Sequence, residues 1–143
     1  MNGLEQHMGV IDAHMVDYES LLPLYYDFEY FNIPFSCQIL HVSYDKSYII
    51  NLTANVGYLP YSSENKSQRQ RMLKNFAHLL SNNLIIKDRH SHLTFPINTT
   101  LTGDINAKKV METILYTILD VKEVLDIINE TMQYKSIENK TNK

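Results

Sequence analysis

The spacing of apolar residues changes several times along this chain, and the order of those changes limits the folds it can adopt. Apolar residues recur three or four positions apart in 3–22, 63–81 and 105–132. That spacing is typical of one face of an amphipathic helix. Between these segments they alternate every second residue or form short β-prone runs, which is typical of strands. The order predicts an α+β fold with three helices.

Five strands are predicted between the helices. Short polar turns join the first three, and tight turns connect antiparallel neighbours, so we expect an antiparallel meander. A polar segment between the last two predicts a hairpin. Packing helices on this sheet gives the order α-β-β-β-α-β-β-α. The predicted strands are 24–31, 35–44, 47–58, 84–88 and 92–98.

The last periodic segment has the most regular pattern. Its apolar residues continue from Val110 to Met132, which predicts a single helix over 105–132 with Asp104 as its N-cap. We expect this apolar stripe to pack on the sheet. Residues 134–143 have no apolar pattern, so we expect a frayed tail.

Length and composition exclude several classes of protein. The 143 residues suffice for a single domain, 1–143, and 44% hydrophobic with 20% charged residues is ordinary for a folded chain. One cysteine excludes an internal disulfide, and a net charge of −3 argues against duplex nucleic acid as the partner. No apolar run approaches the ~20 residues of a membrane span, and no signal-peptide pattern is present. We therefore expect a cytoplasmic protein.

Histidines and a cysteine offer the first candidates for chemistry. His90 and His92 would share one face of a strand, but zinc needs three or four ligands and no third is identifiable by spacing. Cys37 and His41 would also share a face, yet strand rise places them about 13 Å apart. We expect a solvated histidine pair and an inert thiol.

Charged residues offer two further candidates. Asp27 and Glu29 lie two positions apart, as a carboxylate pair for acid–base catalysis would, but a solvated strand face explains them equally well. The basic residues within 66–74 are typical of a solvated helix end. Phosphate-loop, dinucleotide and zinc-protease motifs are missing from the sequence. We predict no catalytic residue, no metal and no cofactor.

Three short segments, with the order of elements, carry a resemblance to a known family. Residues 53–60, TANVGYLP, end the third strand in a turn before the second helix. Residues 76–84, FAHLLSNNL, end that helix, and 93–97, LTFPI, precede the last one. Across residues 3–132 the chain resembles the class I chaperones of bacterial type III secretion, the family of the Tir chaperone.

The resemblance implies a non-enzymatic homodimer in the bacterial cytoplasm with a part in virulence. Members of this family bind the N-terminal segment of a secreted effector protein in extended form and keep it soluble and export-competent. An alternative is a small α+β regulatory or scaffold domain that binds a folded protein partner. The state of the partner distinguishes the two, since a chaperone binds an unfolded segment.

The cargo surface is predicted from an excess of aromatic rings on the first strand. A sheet covered by helices on one side needs one apolar face, yet large rings lie on both faces of 24–31. A guest chain or a dimer contact would cover the second face. With the apolar stripe of the first helix added, the predicted partner-binding residues are Met8, Ile11, Met15, Tyr25, Phe31 and Phe35.

A dimer contact is predicted on the second helix, 63–81. Its apolar residues occupy more than one stripe, which is wider than packing on one sheet requires. Part of this face would then meet its copy in a two-fold contact, although all of it could equally be core of one chain. The predicted dimerisation residues are Met72, Leu73, Phe76 and Leu79.

Overall fold

A computed structural model of the chain describes residues 18–42 and 46–141, with side chains described as far as residue 132. In these ranges the fold is α+β with one antiparallel sheet of five strands, as the sequence predicted, and it contains three α-helices. The strands are β1 (Leu24–Tyr30), β2 (Ile33–His41), β3 (Ser47–Tyr58), β4 (Ile86–Lys87) and β5 (His92–Thr102). The helices are α1 (Ser62–Ser81), α2 (Ala107–Asp120) and α3 (Lys122–Thr141).

The strands lie in the order β1-β2-β3-β5-β4, and every neighbouring pair is antiparallel. β3 is therefore central, while β1 and β4 are the two edges. The register between β3 and β5 shifts between Asn55 and Gly57, where a bulge lets the long pair continue. Gly57 has a φ of 125°, which a residue without Cβ adopts readily.

Strand alternation separates the sheet into a core face and an open face. All three helices contribute buried side chains to one continuous core with the core face. On the open face no outward side chain of the four long strands is buried, so this face meets solvent in the described part of the chain. The helix residues in the core include Met72, Phe76, Val110, Ile114, Ile118, Leu125 and Ile128.

The predicted single helix over 105–132 is wrong, because the segment forms two helices that meet at Val121. The Val121 N–H donates to the Ile118 carbonyl three residues back, and this local tightening ends α2. Helix α3 then continues to Thr141, past the predicted helix end at 132. The break leaves the apolar spacing unchanged and needs no Gly or Pro, which is why the pattern did not predict it.

Two other helix predictions also change. Asn106, and not Asp104, caps α2, since its side chain accepts a hydrogen bond of 2.8 Å from the Lys109 N–H. Asp104 instead pairs with Lys46. Of the predicted first helix, 3–22, residues Tyr18–Leu21 form one 3-10 turn, and the remainder up to 17 lies outside the described residues.

Strand boundaries differ from the prediction at both sides of the sheet. The strand predicted over 92–98 continues to Thr102, because 98–102 pair with the first half of β3. The strand predicted over 84–88 shortens to two residues, and the one predicted over 35–44 becomes Ile33–His41. The first strand ends at Tyr30 and the third matches its predicted range.

Candidate functional site

The edge strand β1 is the candidate binding site. It pairs along its whole length with β2, from Leu24 opposite Ile39 to Tyr30 opposite Ile33. Its other side has no strand partner within residues 18–42 and 46–141. An edge strand presents main-chain N–H and C=O groups that another extended chain can pair with.

The side chains of β1 alternate between the two faces of the sheet. Tyr25 is 64% exposed on the open face, and Asp27 and Glu29 are exposed beside it. On the core face Phe28 is buried and stacks on Phe35, with ring centroids 5.2 Å apart. The core therefore holds β1 in place through one face, while its other face is exposed and its outer edge has no strand partner among the described residues.

A two-residue turn decides which predicted cargo residues reach this site. Phe31 and Asn32 have φ values of 55° and 63°, the conformation of a tight hairpin turn that joins β1 to β2. Phe31 therefore lies in the turn, half-buried against Tyr30 at a ring distance of 4.3 Å, and not on the open strand face. The strands predicted from the sequence place this turn one residue later, at 32–34, because phenylalanine rarely adopts positive φ.

The same turn places Phe35 on the core face. Phe35 is 1% exposed, so its predicted role in partner binding is wrong: the ring fills the core between β1 and the helices. Tyr25 lies on the accessible surface that the prediction required. Met8, Ile11 and Met15 lie outside the described residues.

A shallow depression of 360 Å³ lies beside Tyr25 on the open face. In its floor the Asn51 side-chain amide donates a hydrogen bond of 3.1 Å to the Gln38 side-chain oxygen. Its lining residues are uncharged except for one carboxylate, Asp27, and they combine polar groups with tyrosine rings. Such a surface offers hydrogen-bonding groups beside an aromatic ring without requiring a charged ligand.

The charge of the sheet is concentrated at this edge. The four long strands, β1, β2, β3 and β5, contain no Lys or Arg. The two carboxylates in these strands are Asp27 and Glu29, both on the open face of β1. Because a β-strand places alternate residues on one face, these two groups lie side by side along the edge.

A buried polar cluster lies behind β1 on the core face. The Tyr26 hydroxyl contacts both the Tyr18 hydroxyl and the Cys37 thiol in hydrogen-bonding arrangement. Burial raises the pKa of Cys37 to about 12 and that of Tyr18 to about 12. The thiol is therefore protonated at neutral pH and lacks the thiolate that a nucleophile needs. His41 instead pairs with Glu19 at 3.5 Å.

The predicted hairpin that carries His90 and His92 forms around Asp88. One Asp88 carboxylate oxygen accepts the His90 N–H at 2.8 Å and the His92 N–H at 3.0 Å. Both hydrogen bonds lower the pKa of Asp88, and the bond from the His92 N–H has the larger effect. The His92 ring contacts the Asn55 side-chain oxygen at 2.7 Å. No group of three potential metal ligands occurs in the part of the chain that the structure describes.

The predicted dimer face of α1 is largely interior to one chain. Met72, Phe76 and Leu79 are buried, so they cannot contact a second copy, and only Leu73 of the predicted set is half-buried. The apolar face of α1 is wide because the helix has two intrachain neighbours, the sheet core and α3. A hydrogen bond of 3.3 Å from Asn75 to Thr131 joins α1 to α3.

Comparison of the chain with protein-family models, curated proteins and solved structures gave no match. Among the helices that the structure describes, none is long and apolar enough to cross a membrane.

Proposed function

We propose that this chain is a non-enzymatic chaperone of bacterial type III secretion that acts in the cytoplasm. It binds the N-terminal segment of a secreted effector in extended form and keeps that segment soluble and competent for export. The observation that carries the proposal is the edge of β1, which is seven residues long, carries the exposed Tyr25 and has no strand partner on its outer side in the described ranges. An extended segment that pairs with this edge becomes an additional strand of the sheet.

The energetics of an extended guest fit such an edge. An unfolded segment loses conformational entropy when it binds, and main-chain hydrogen bonds along a strand offset part of that loss. Tyr25 adds apolar contact area, while its hydroxyl tolerates water when no cargo is bound. Since β1 is held through Phe28 and the Tyr26 cluster, the edge is ordered before the guest arrives, which lowers the cost of binding.

Two matched tyrosine variants test this proposal. Tyr25 on β1 and Tyr116 on α2 are 64% and 67% exposed, so changing either to Asp adds the same charge at a similar surface position. The ligand is the N-terminal segment of a secreted protein encoded beside this gene, measured by isothermal titration calorimetry. We expect Tyr25→Asp to weaken binding by about tenfold or more and Tyr116→Asp to leave it unchanged, because only Tyr25 contacts the guest. Equal affinities for both variants would contradict the proposal.

The alternative is a small α+β regulatory or scaffold domain that binds a folded protein. The observation that favours it is a second aromatic surface, where Tyr58 and Tyr61 are both exposed and the Tyr58 ring stacks on His92 at 4.6 Å. A folded partner would keep its own cooperative unfolding transition in the complex. An extended cargo segment would show none, and calorimetric melting of the complex separates the two functions.

A homodimer is part of the proposed function, with a contact other than the buried face of α1. The exposed Leu84 and Ile86, between the end of α1 and β4, are apolar side chains that such a contact can use. We expect light scattering at micromolar concentration to give twice the chain mass of 16.7 kDa. A mass near 16.7 kDa would contradict the dimer.

A further inference from the structure

The two sides of the β1 edge present different chemistry to an incoming strand. On the open face the edge carries Tyr25, Asp27 and Glu29, all exposed. On the core face it carries Leu24 and Tyr26, half-buried and packed against the core. A strand paired with β1 alternates in the same way, so its successive side chains lie beside carboxylates and beside apolar groups in turn.

Among the described residues the two carboxylates lack a compensating charge. Neither Asp27 nor Glu29 forms an ion pair within the described residues. Lys122 lies near the turn after β1, 6.0 Å from the centre of the Phe31 ring, and pairs with Asp126 at 3.0 Å. A basic side chain on a guest strand would place a cation directly opposite either carboxylate. Opposite charges in that position stabilise a strand pair.

The same carboxylates disfavour a second copy of this chain as the occupant. Antiparallel pairing of two β1 edges about a two-fold axis at Asp27 or Glu29 places that carboxylate opposite its own copy. An axis at Phe28 places Asp27 opposite Glu29. Like charges directly opposite one another destabilise a strand pair, and charged edge residues are a known protection against edge-to-edge association. The edge therefore distinguishes a basic guest from another copy of itself.

We infer that β1 takes up an extended segment in which Lys or Arg alternates with apolar residues, the basic side chains lying opposite Asp27 and Glu29. This inference rests on the proposed function, since it names the sequence chemistry of the guest at the same edge. The apolar residues of the guest extend the core beside Leu24 and Tyr26. The pattern is readable in a sequence, so it also identifies the segment of an effector that binds.

Synthetic peptides of seven residues, the length of β1, test the inference. Three peptides alternate Val with Lys, with Ser or with Glu, and fluorescence anisotropy gives their affinities at low and high salt. We expect the Lys peptide to bind about tenfold or more tightly than the Glu peptide, with the Ser peptide between them. We also expect the difference to shrink at high salt, where exposed charge pairs are screened.

Charge-reversal variants locate the effect. Asp27→Lys with Glu29→Lys should invert the preference, so that the Glu peptide binds more tightly than the Lys peptide. The control, Glu112→Lys with Asp120→Lys, makes the same net change at exposed positions of α2 and should leave the order of affinities unchanged. Circular dichroism of both variants verifies that the fold is retained. The same loss of preference in both variants would overturn the inference.

The outcomes separate this inference from the proposed function. One outcome is that the Lys and Ser peptides bind with equal affinity and both protect the β1 amides from hydrogen exchange. This result overturns the charge preference and leaves strand addition intact. Binding of none of the peptides, with no protection of β1 by an effector segment, overturns both. Strong protection of the outer β1 amides in the free protein would show that the edge is already occupied, and this also overturns the inference.

Discussion

Replacing Leu125 by Ala tests the packing of α3 in the core. Leu125 is 0% exposed and belongs to the continuous core. The change removes three carbon atoms, at about 0.8 kcal/mol for each buried CH₂, and leaves a cavity that adds to this loss. We expect a decrease of about 3–4 kcal/mol in the free energy of unfolding.

That loss has a measurable effect on melting. The unfolding entropy is about 2.1 cal/mol/K per residue, so for a chain of 143 residues a decrease of about 3 kcal/mol in the free energy of unfolding lowers Tm by about 10 °C. Differential scanning calorimetry measures the shift. Leu119→Ala is the matched control, since Leu119 is 49% exposed on α2 and should change Tm by no more than a few degrees. Leu125→Asp should be more destabilising still, because it buries an unpaired charge.

Equal melting temperatures for Leu125→Ala and Leu119→Ala would refute this reasoning. The result would mean that α3 does not bury its apolar face on the sheet. The helix-covered core would then no longer hold β1 in place as a preformed binding edge.

Three other changes test separate features. Burial raises the pKa of Cys37 from 9.0 to about 12 and that of Tyr18 from 10.0 to about 12, so both groups ionise more easily in the unfolded chain. The free energy of unfolding should therefore fall as the pH rises from about 9 to 12. Constant stability in urea titrations across that pH range would be evidence against the buried cluster. Asn106→Ala should lower the free energy of unfolding by about 1 kcal/mol, because α2 loses its N-cap. Asp104→Ala removes an exposed ion pair and should lower it much less, as measured by urea denaturation. The reverse order of the two losses would restore Asp104 as the cap. Gly57→Ala should destabilise the protein by about 1 kcal/mol or more, because φ is 125° and the new Cβ would lie 3.1 Å from the Met132 methyl group. An unchanged Tm would contradict the bulge geometry.

Local patterns were sufficient to predict the element types and the sheet. Alternation along β1 and β3 gave the faces of their side chains, because a strand with one buried face must repeat every second residue. Position along the chain could not give the order β1-β2-β3-β5-β4 beyond the first meander. That order depends on which strands pair over long separations, and it is what makes β1 an edge.

The errors have identifiable physical causes. The turn at Phe31–Asn32 was missed because only the closed hairpin holds a phenylalanine at positive φ. The wide apolar face of α1 was compatible with a dimer or with a second intrachain neighbour, and the contact with α3 decides for the neighbour. Asp27 and Glu29 were visible as a pair, but their significance depends on β1 being an edge, which is a property of the assembled sheet.

Hydrogen exchange of the protein with and without an effector segment tests the central claim most directly. The account predicts that residues 24–30 become slower to exchange in the complex, that the bound segment gains protection over a similar length, and that α2 is unchanged. Protection confined to the Tyr58–Tyr61 surface or to α2, with β1 exchanging as fast as in the free protein, would contradict binding by strand addition at the edge.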